Sequence, residues 1–166
     1  MFSSLKGLLV RPLTKADIAY LSEALYQALY TTPREAPLSR DILVLPKLAR
    51  YIDGWGERLG DRGSIAFAGS NYYVGAAWLR LFSHDVPGYG YVDDLTPELS
   101  VSVLPEWRGC GIGTQLIEAT LEQARSQFPA VSLSVTPGNP AQHLYERLGF
   151  EVVYATPHEI TMRRAF

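Results

Sequence analysis

Cysteine is almost missing: Cys110 is the only one in 166 residues. A single thiol excludes an internal disulfide and a thiolate metal cage. Histidine is nearly as scarce, and His84, His143 and His158 have no ligand-like spacing, so no metal is expected. Charge is modest, at 19% of residues with a formal net charge of −2. No run of Lys or Arg marks a nucleic-acid surface. Long apolar runs are missing too, since Met1–Val10 and Tyr72–Leu79 are too short and interrupted to span a bilayer. Met1–Arg11 lacks the basic start, apolar middle and small-residue cleavage site of a secretory leader. The expectation is a cytoplasmic chain with no membrane or nucleic-acid partner. Its length suits one domain over residues 1–166 with its own core.

What is present is a regular alternation of elements. Leu8–Leu13 reads as a strand, and Thr14–Asp17 as a capping box that opens a helix burying Ile18, Leu21, Leu25 and Leu29. Pro33 and Pro37 end that helix, and a second helical pattern covers Arg40–Tyr51. Glycines at 54, 56, 60 and 63 punctuate a loop. Ser64–Gly69 and Tyr73–Phe82 read as a hairpin across Ser70-Asn71. Glu98–Leu104 alternates cleanly with period two. Gly109, Gly111 and Gly113 follow, and then a helix to about Phe128 with a stripe of Ile117, Leu121, Ala124 and Phe128. Val131–Val135 is a short strand. Asn139-Pro140 reads as N-cap and first helical residue, with Gly149 as the left-handed stop. Glu151–Ala155 and Glu159–Arg164 close a mixed α/β sheet with helices on both faces.

Strand, glycines and helix in succession make an anion site. The first N–H groups of a helix have no intrahelical partner, and the helix dipole adds positive potential there. Glycine lets a phosphate approach without meeting a Cβ. A P-loop would end in Gly-Lys-Ser/Thr, but Thr114 follows Gly113 directly. A dinucleotide fingerprint counted from Gly109 would need glycine at position 114 and an acid on the next strand, and neither is present. The pattern that remains is Arg-x-x-Gly-x-Gly at Arg108, Gly111 and Gly113.

That pattern, with Glu98–Val103 and Pro105-Glu-Trp107 before it and Asn139–Phe150 after it, resembles the GNAT superfamily of N-acetyltransferases. Val10–Thr14 and Ile160–Met162 resemble the family's first and last strands. The resemblance implies a GNAT fold, with the central sheet splayed between the fourth and fifth strands and acetyl-CoA lying in the splay. It implies a bulge in the strand matching Glu98–Leu104, whose backbone at Val101, Ser102 and Val103 takes the pantetheine arm. The amides of Gly109, Cys110, Gly111, Ile112, Gly113 and Thr114 would hold the pyrophosphate, with Arg108 at the loop's Arg/Gln position. Asn139 would touch the coenzyme, and it also reads as a plain N-cap. Glu98 would be the base and Tyr145 the proton donor to the departing thiolate. A solvated strand end and a core aromatic are their alternative readings. Cys110 has no base beside it and reads as incidental.

An alkyl ammonium with pKa near 10.4 holds its proton at pH 7, so an ordinary carboxylate near 4.3 is a poor match. Glu98 would therefore need burial or a water relay. The same resemblance implies that the acceptor side falls to Tyr51–Gly56, including Trp55, and to Tyr89–Asp94. Aromatics with paired acids would suit a cationic amine. Trp78 reads as core. The reading is acetyl transfer from acetyl-CoA to a small-molecule amine in a ternary complex. Transfer to a protein N-terminus or lysine, and a non-catalytic acyl-CoA-binding module, stay open. A homodimer is an analogy only.

Overall fold

The computed structural model describes residues 7–166. The first six positions of the Met1–Arg11 stretch, read above for a leader, lie outside the described residues. Seven strands form one sheet in the order β1-β2-β3-β4-β5-β7-β6. They are β1 (Leu8–Pro12), β2 (Gly63–Ala68), β3 (Tyr72–Arg80), β4 (Glu98–Val103), β5 (Ala130–Val135), β6 (Glu151–Ala155) and β7 (Ile160–Ala165). The helices are α1 (Ile18–Ala28), α2 (Pro46–Ala49), α3 (Ile112–Ala124) and α4 (Ala141–Arg147). All neighbours pair antiparallel except β4 and β5, which are parallel and meet only at Glu98 and Ser132. Beyond that bridge the two strands diverge. This is the splay expected from the resemblance.

Alternation along the strands divides the core in two. One face carries Val74, Leu79, Leu99, Val131 and Leu133 against the apolar stripe of α3 (Ile112, Leu116, Ile117, Leu121, Ala124) and Tyr145 of α4. The other carries Ile65, Phe67, Ala76 and Trp78 against Leu21, Ala24 and Leu25 of α1 and the α2 region at Leu48, Tyr51 and Trp55. Helices thus cover both faces, and α1 and α2 stand over the face that bears Glu98.

Several local expectations need correction. The helix expected over Arg40–Tyr51 is broken into a 3₁₀ turn at Arg40–Val44 and the short α2. Pro46 has no N–H to continue the first turn, so it opens a new one at N1 with Leu45 extended. The glycine-rich turn feeds α3 at Ile112, and α3 ends at Ala124 with one further turn to Phe128 closed on the Ala124 carbonyl. The bulge implied in β4 is absent. β4 pairs with β3 residue for residue from Gly75–Val103 to Arg80–Glu98. The register shifts fall instead in the β2–β3 pairing between Ala66 and Phe67 and in the β6–β7 pairing between Val152 and Tyr154.

Arg80 was not singled out by the sequence, yet it is wholly buried with Asp61. Its Nε and Nη2 donate to Asp61 Oδ1 and Oδ2 at 3.1 and 2.9 Å. Its Nη1 donates to the Arg50 and Asp53 carbonyls at 3.1 and 2.6 Å. Asp61 Oδ2 also accepts from the Gly56 and Arg58 amides. Each guanidinium nitrogen and both carboxylate oxygens are engaged, as a buried ion pair requires. Trp55, expected near the acceptor, is 2% exposed and donates Nε1 to the Leu79 carbonyl at 3.2 Å. It is a core residue, packed with the α1 and α2 side chains.

Removing one partner leaves the other charge buried and unpaired. Asp61→Ala should lower unfolding free energy by about 3–5 kcal/mol in urea denaturation. The double variant Asp61→Leu with Arg80→Met should lose clearly less than Asp61→Ala. A loss below about 1 kcal/mol in Asp61→Ala would mean the pair carries little of the fold.

Candidate active site

The Leu104 amide donates to the Val74 carbonyl at 2.8 Å. That bond fixes the alternation: residues 98, 100 and 102 of β4 share their backbone bonds with β3. The backbone groups of Leu99, Val101 and Val103 therefore face β5. Ser132 N–H closes on Pro97 O at 3.0 Å beside the single β4–β5 bridge. Past that bridge, the amides of Val101 and Val103 face the gap with no strand opposite. Ser102, grouped with them from the resemblance, turns away from the gap: its backbone pairs with Ala76 and its hydroxyl donates to Ala24 O at 2.7 Å.

The turn after β4 has Gly109 and Gly111 at φ of 74° and 79°, a region that L side chains avoid. A Cβ at either would meet nothing within 4 Å. The glycines are required there by backbone conformation, and the space above them is open. Gly111 caps α3, whose first amides run through Ile112, Gly113 and Thr114. Arg108 is not directed at that space. Its Nε donates to Val103 O at 2.9 Å and its Nη2 to Gln27 Oε1 at 3.2 Å, tying the turn to β4 and α1. Cys110 is half-buried, with its sulfur toward the Arg108 carbonyl. Asn139 keeps the expected capping role, while α4 begins one residue later than expected, at Ala141. Asn139 Oδ1 accepts from Ala141 N at 3.0 Å, with Pro140 preceding the first helical residue.

Glu98 stands where the strands begin to part, 4% exposed. Its Oε1 accepts from Tyr51 Oη at 2.7 Å, and Oε2 has no partner. Burial pushes its carboxyl up to about 7, while the Tyr51 hydrogen bond, the Gly90 amide and Arg50 act in the opposite sense and Glu159 adds to the rise. Burial thus brings this carboxyl closer to the range of an amine than an ordinary carboxylate lies. Tyr145 is 8% exposed on the α3 side and packs edge-to-face on Phe150 at 6.2 Å. Burial raises its phenol to about 12, so it is protonated at neutral pH.

The acidic loop is internally committed. Asp94 Oδ1 accepts from the His84 amide and the Tyr91 hydroxyl, and Asp93 Oδ1 from the Leu95 amide. Both acids shape their own loop. Two open hollows, one among Arg125, Arg147 and Arg164 and one under Phe82, Val86 and Asp94, include no residue of β4 or the glycine turn.

The family model for the acetyltransferase (GNAT) family matches residues 23–150. The chain belongs to that family. It is 38% identical over 78 residues to an L-methionine sulfoximine/L-methionine sulfone acetyltransferase of Pseudomonas aeruginosa, covering 41% of this chain and 45% of that protein. The chain thus spans under half the length of this curated relative. Its fold is similar to that of a GCN5-related N-acetyltransferase from Kribbella flavida, at TM-score 0.67 and 21% identity, over 98% of this chain and 100% of that one. It is also similar to a PaiA N-acetyltransferase from Thermoplasma acidophilum solved with coenzyme A, at TM-score 0.61 and 20% identity, over 96% and 99% of the two chains.

The raised Glu98 carboxyl gives a stability signature with a definite sign. A carboxyl that binds its proton more tightly when folded makes the fold lose stability as pH rises. The window runs from the ordinary value of 4.5 to about 7, and above it the loss is complete. Those 2.5 pH units correspond to about 3 kcal/mol. Glu98→Gln has no such term, so its stability relative to wild type should improve by up to that amount between pH 4.5 and 8. Chemical denaturation at pH 4.5, 6 and 8 measures it. A constant difference across that range would show that Glu98 titrates normally.

Proposed function

We propose that this protein moves the acetyl group of acetyl-CoA to the amine of a small molecule, by direct attack with both substrates bound at the β4–β5 gap. The observation that carries the reading is the placement of a buried, proton-hungry Glu98 at the head of a gap whose β4 edge offers unpaired amides. The chain suits the coenzyme on its own geometry. The Val101 and Val103 amides suit an extended pantetheine arm laid along β4 as an added strand. The open space over Gly109 and Gly111, with the first amides of α3, suits the pyrophosphate. Val103 O is already held by Arg108, so its amide is the better candidate for the pantetheine.

Bound acetyl-CoA supplies a thioester, with an acetyl carbon open to attack and a sulfur that leaves. Glu98 takes the proton that the amine nitrogen must lose. The Val101 amide donates toward the acetyl oxygen, where negative charge develops. Tyr145, whose hydroxyl is protonated, would donate to the leaving sulfur. A phenol near 12 lies about 3.5 pH units above a free thiol near 8.5, so full transfer would be uphill by about 5 kcal/mol. Its contribution is therefore a hydrogen bond to the sulfur, and late or no proton transfer.

The relative from Pseudomonas aeruginosa, whose name gives a small amino-acid-like acceptor, supports the small-molecule class. The testing experiment is CoA release from acetyl-CoA over a panel of small primary amines, including amino acids and polyamines. At least one amine should turn over in wild type, and Glu98→Gln should slow it most near pH 7. Silence across the panel, with CoA still bound, would turn the reading toward a protein acceptor or a binding module.

Two measurements check the parts. Acetyl-CoA at one hundred times its Kd should stabilise wild type by about 2.7 kcal/mol, and Gly111→Val should lose most of that ligand-dependent rise in Tm. An equal rise in both would remove the glycine turn from the site. Tyr145→Phe should lower kcat by about tenfold to a hundredfold, the low end for a general acid, with coenzyme affinity unchanged. A normal kcat would leave Tyr145 as a core aromatic.

A further inference from the structure

Glu98 is held by a side chain that the reaction scheme above does not use. Tyr51 is 5% exposed, its ring edge-on to Phe82 at 4.9 Å and stacked near Tyr89. Its hydroxyl makes two short bonds of 2.7 Å, one with Glu98 Oε1 and one with the Tyr89 amide. An amide can only donate, so the Tyr51 oxygen is the acceptor there. The single phenolic hydrogen must then point at Oε1. Burial and the neighbouring carboxylate push the Tyr51 phenol far above its ordinary value, so that hydrogen stays in place.

Oε1 is thereby filled whether Glu98 is charged or neutral. Oε2 is different: it is buried and completes no hydrogen bond, although the Gly90 amide lies close enough to the carboxyl to favour its charged form. It is faced by Gly88, where an added Cβ would collide with Oε2 and lie 2.7 Å from the Phe82 ring. The same loop presses on β5. A Cβ on Gly90 would lie 2.6 Å from the Leu133 carbonyl carbon and 2.7 Å from Ser134 N. Two glycines therefore let the loop backbone close over the carboxyl without a side chain reaching it. The Tyr51 hydroxyl anchors that loop through Tyr89.

We propose that Tyr51 is the positioning residue of the proton-accepting step: by holding Oε1 it leaves Oε2, the oxygen against which the Gly88 backbone packs, as the atom that takes the amine proton. The N–H bond of the ammonium breaks, an O–H bond forms at Oε2, and the electron pair stays on nitrogen to bond the acetyl carbon; the thioester C–S bond then breaks with its pair on sulfur, which takes the second proton shed by the nitrogen and leaves as the thiol of CoA. The proton leaves Glu98 for solvent after the product departs. The proposal rests on Glu98 being the base.

Other charges also face Glu98. Arg50 from the end of α2 lowers its pKa and Glu159 beside β7 raises it. Arg80, its cross-strand neighbour on β3, is paired with Asp61, and Arg163 stands opposite Ser132 on β7. None of these is altered by Tyr51→Phe, which deletes the hydroxyl alone. A donor to the charged carboxylate favours that form, so its loss should move the acid limb of kcat/KM to higher pH by about one unit. The loss in kcat/KM should be about tenfold at pH 6.5 and shrink to about threefold or less by pH 9. Coenzyme affinity should hold within about twofold, since the glycine turn is untouched.

The experiment is the kcat/KM profile from pH 5.5 to 9 for wild type, Tyr51→Phe, Gly88→Ala and Glu98→Gln, with acetyl-CoA affinity and Tm on each. Gly88→Ala places a methyl at Oε2 and should cut kcat/KM at least about tenfold at every pH. It keeps the Oε2 assignment testable if Tyr51→Phe does not fold. A normal rate in Gly88→Ala would overturn that assignment. A uniform loss in Tyr51→Phe with an unmoved limb would make Tyr51 a packing residue and overturn its role, while a slow Glu98→Gln leaves the base intact. Full activity in Glu98→Gln would instead overturn the base itself and the proposal with it.

Discussion

Arg80 sends its guanidinium from the middle of the sheet to Asp61 and to the carbonyls of Arg50 and Asp53, and the shape of the site follows from that. Asp61 in turn gathers the Gly56 and Arg58 amides, so the chain from residue 50 to 61 is drawn onto the end of β3. Trp78 Nε1 pins the Tyr51 carbonyl at 3.1 Å. These bonds leave little freedom for the Tyr51 backbone, and its phenol arrives at Glu98 as a fixed donor. Buried ion pairs are weak sources of net stability but strong specifiers of position once every partner is engaged. Here the position specified is that of Glu98, the register partner of Arg80 on the adjacent strand.

β4 serves both halves of the molecule through simple alternation. Its even-numbered side chains, Glu98, Ser100 and Ser102, lie on the α1–α2 face. Its odd-numbered residues give side chains to the α3 face and backbone amides to the gap. An acceptor amine reaching Glu98 and an acyl group held at Val101 would thus meet across a single strand, three residues apart. The parallel bridge at Glu98–Ser132 sets where the gap begins. If β5 paired with β4 for even two more residues, the Val101 amide would be consumed.

Much of this was legible in the sequence, and the reasons are local. Period-two alternation in Glu98–Val103 and the glycine run after it are strong signals because backbone geometry demands them. Gly111 and Gly149 sit at positive φ as their turn roles require. Long-range placement was not legible. Trp55 and Tyr51 lie in one glycine-rich stretch, and only the packing sends one into the core and the other to Glu98. Arg80 ends a strand that reads as apolar, and its partner is 19 residues away with no pattern linking them. The β4 bulge came from the resemblance alone, and the uninterrupted ladder with β3 shows that this chain opens its gap by early divergence from β5. Asn139 was read with its capping role, and the shift of one residue is the usual uncertainty at a helix end.

The chemistry and the stability of Glu98 are two views of one quantity. Proton transfer from an alkyl ammonium near 10.4 to an ordinary carboxylate near 4.3 is uphill by about 6 pH units, or about 8 kcal/mol. With the carboxyl at about 7, the gap narrows to about 3.4 units and about 4.6 kcal/mol. The difference, about 3.4 kcal/mol, is also what the folded chain forgoes by burying an ionised Glu98 above pH 7. The Tyr51 hydrogen bond limits both effects, since it favours the charged form. Without that donor the base would be stronger but less often ionised at neutral pH, and its two oxygens would compete for the proton. With it, the carboxyl stays near neutral pH, and in the proposed reaction one oxygen is left for the substrate.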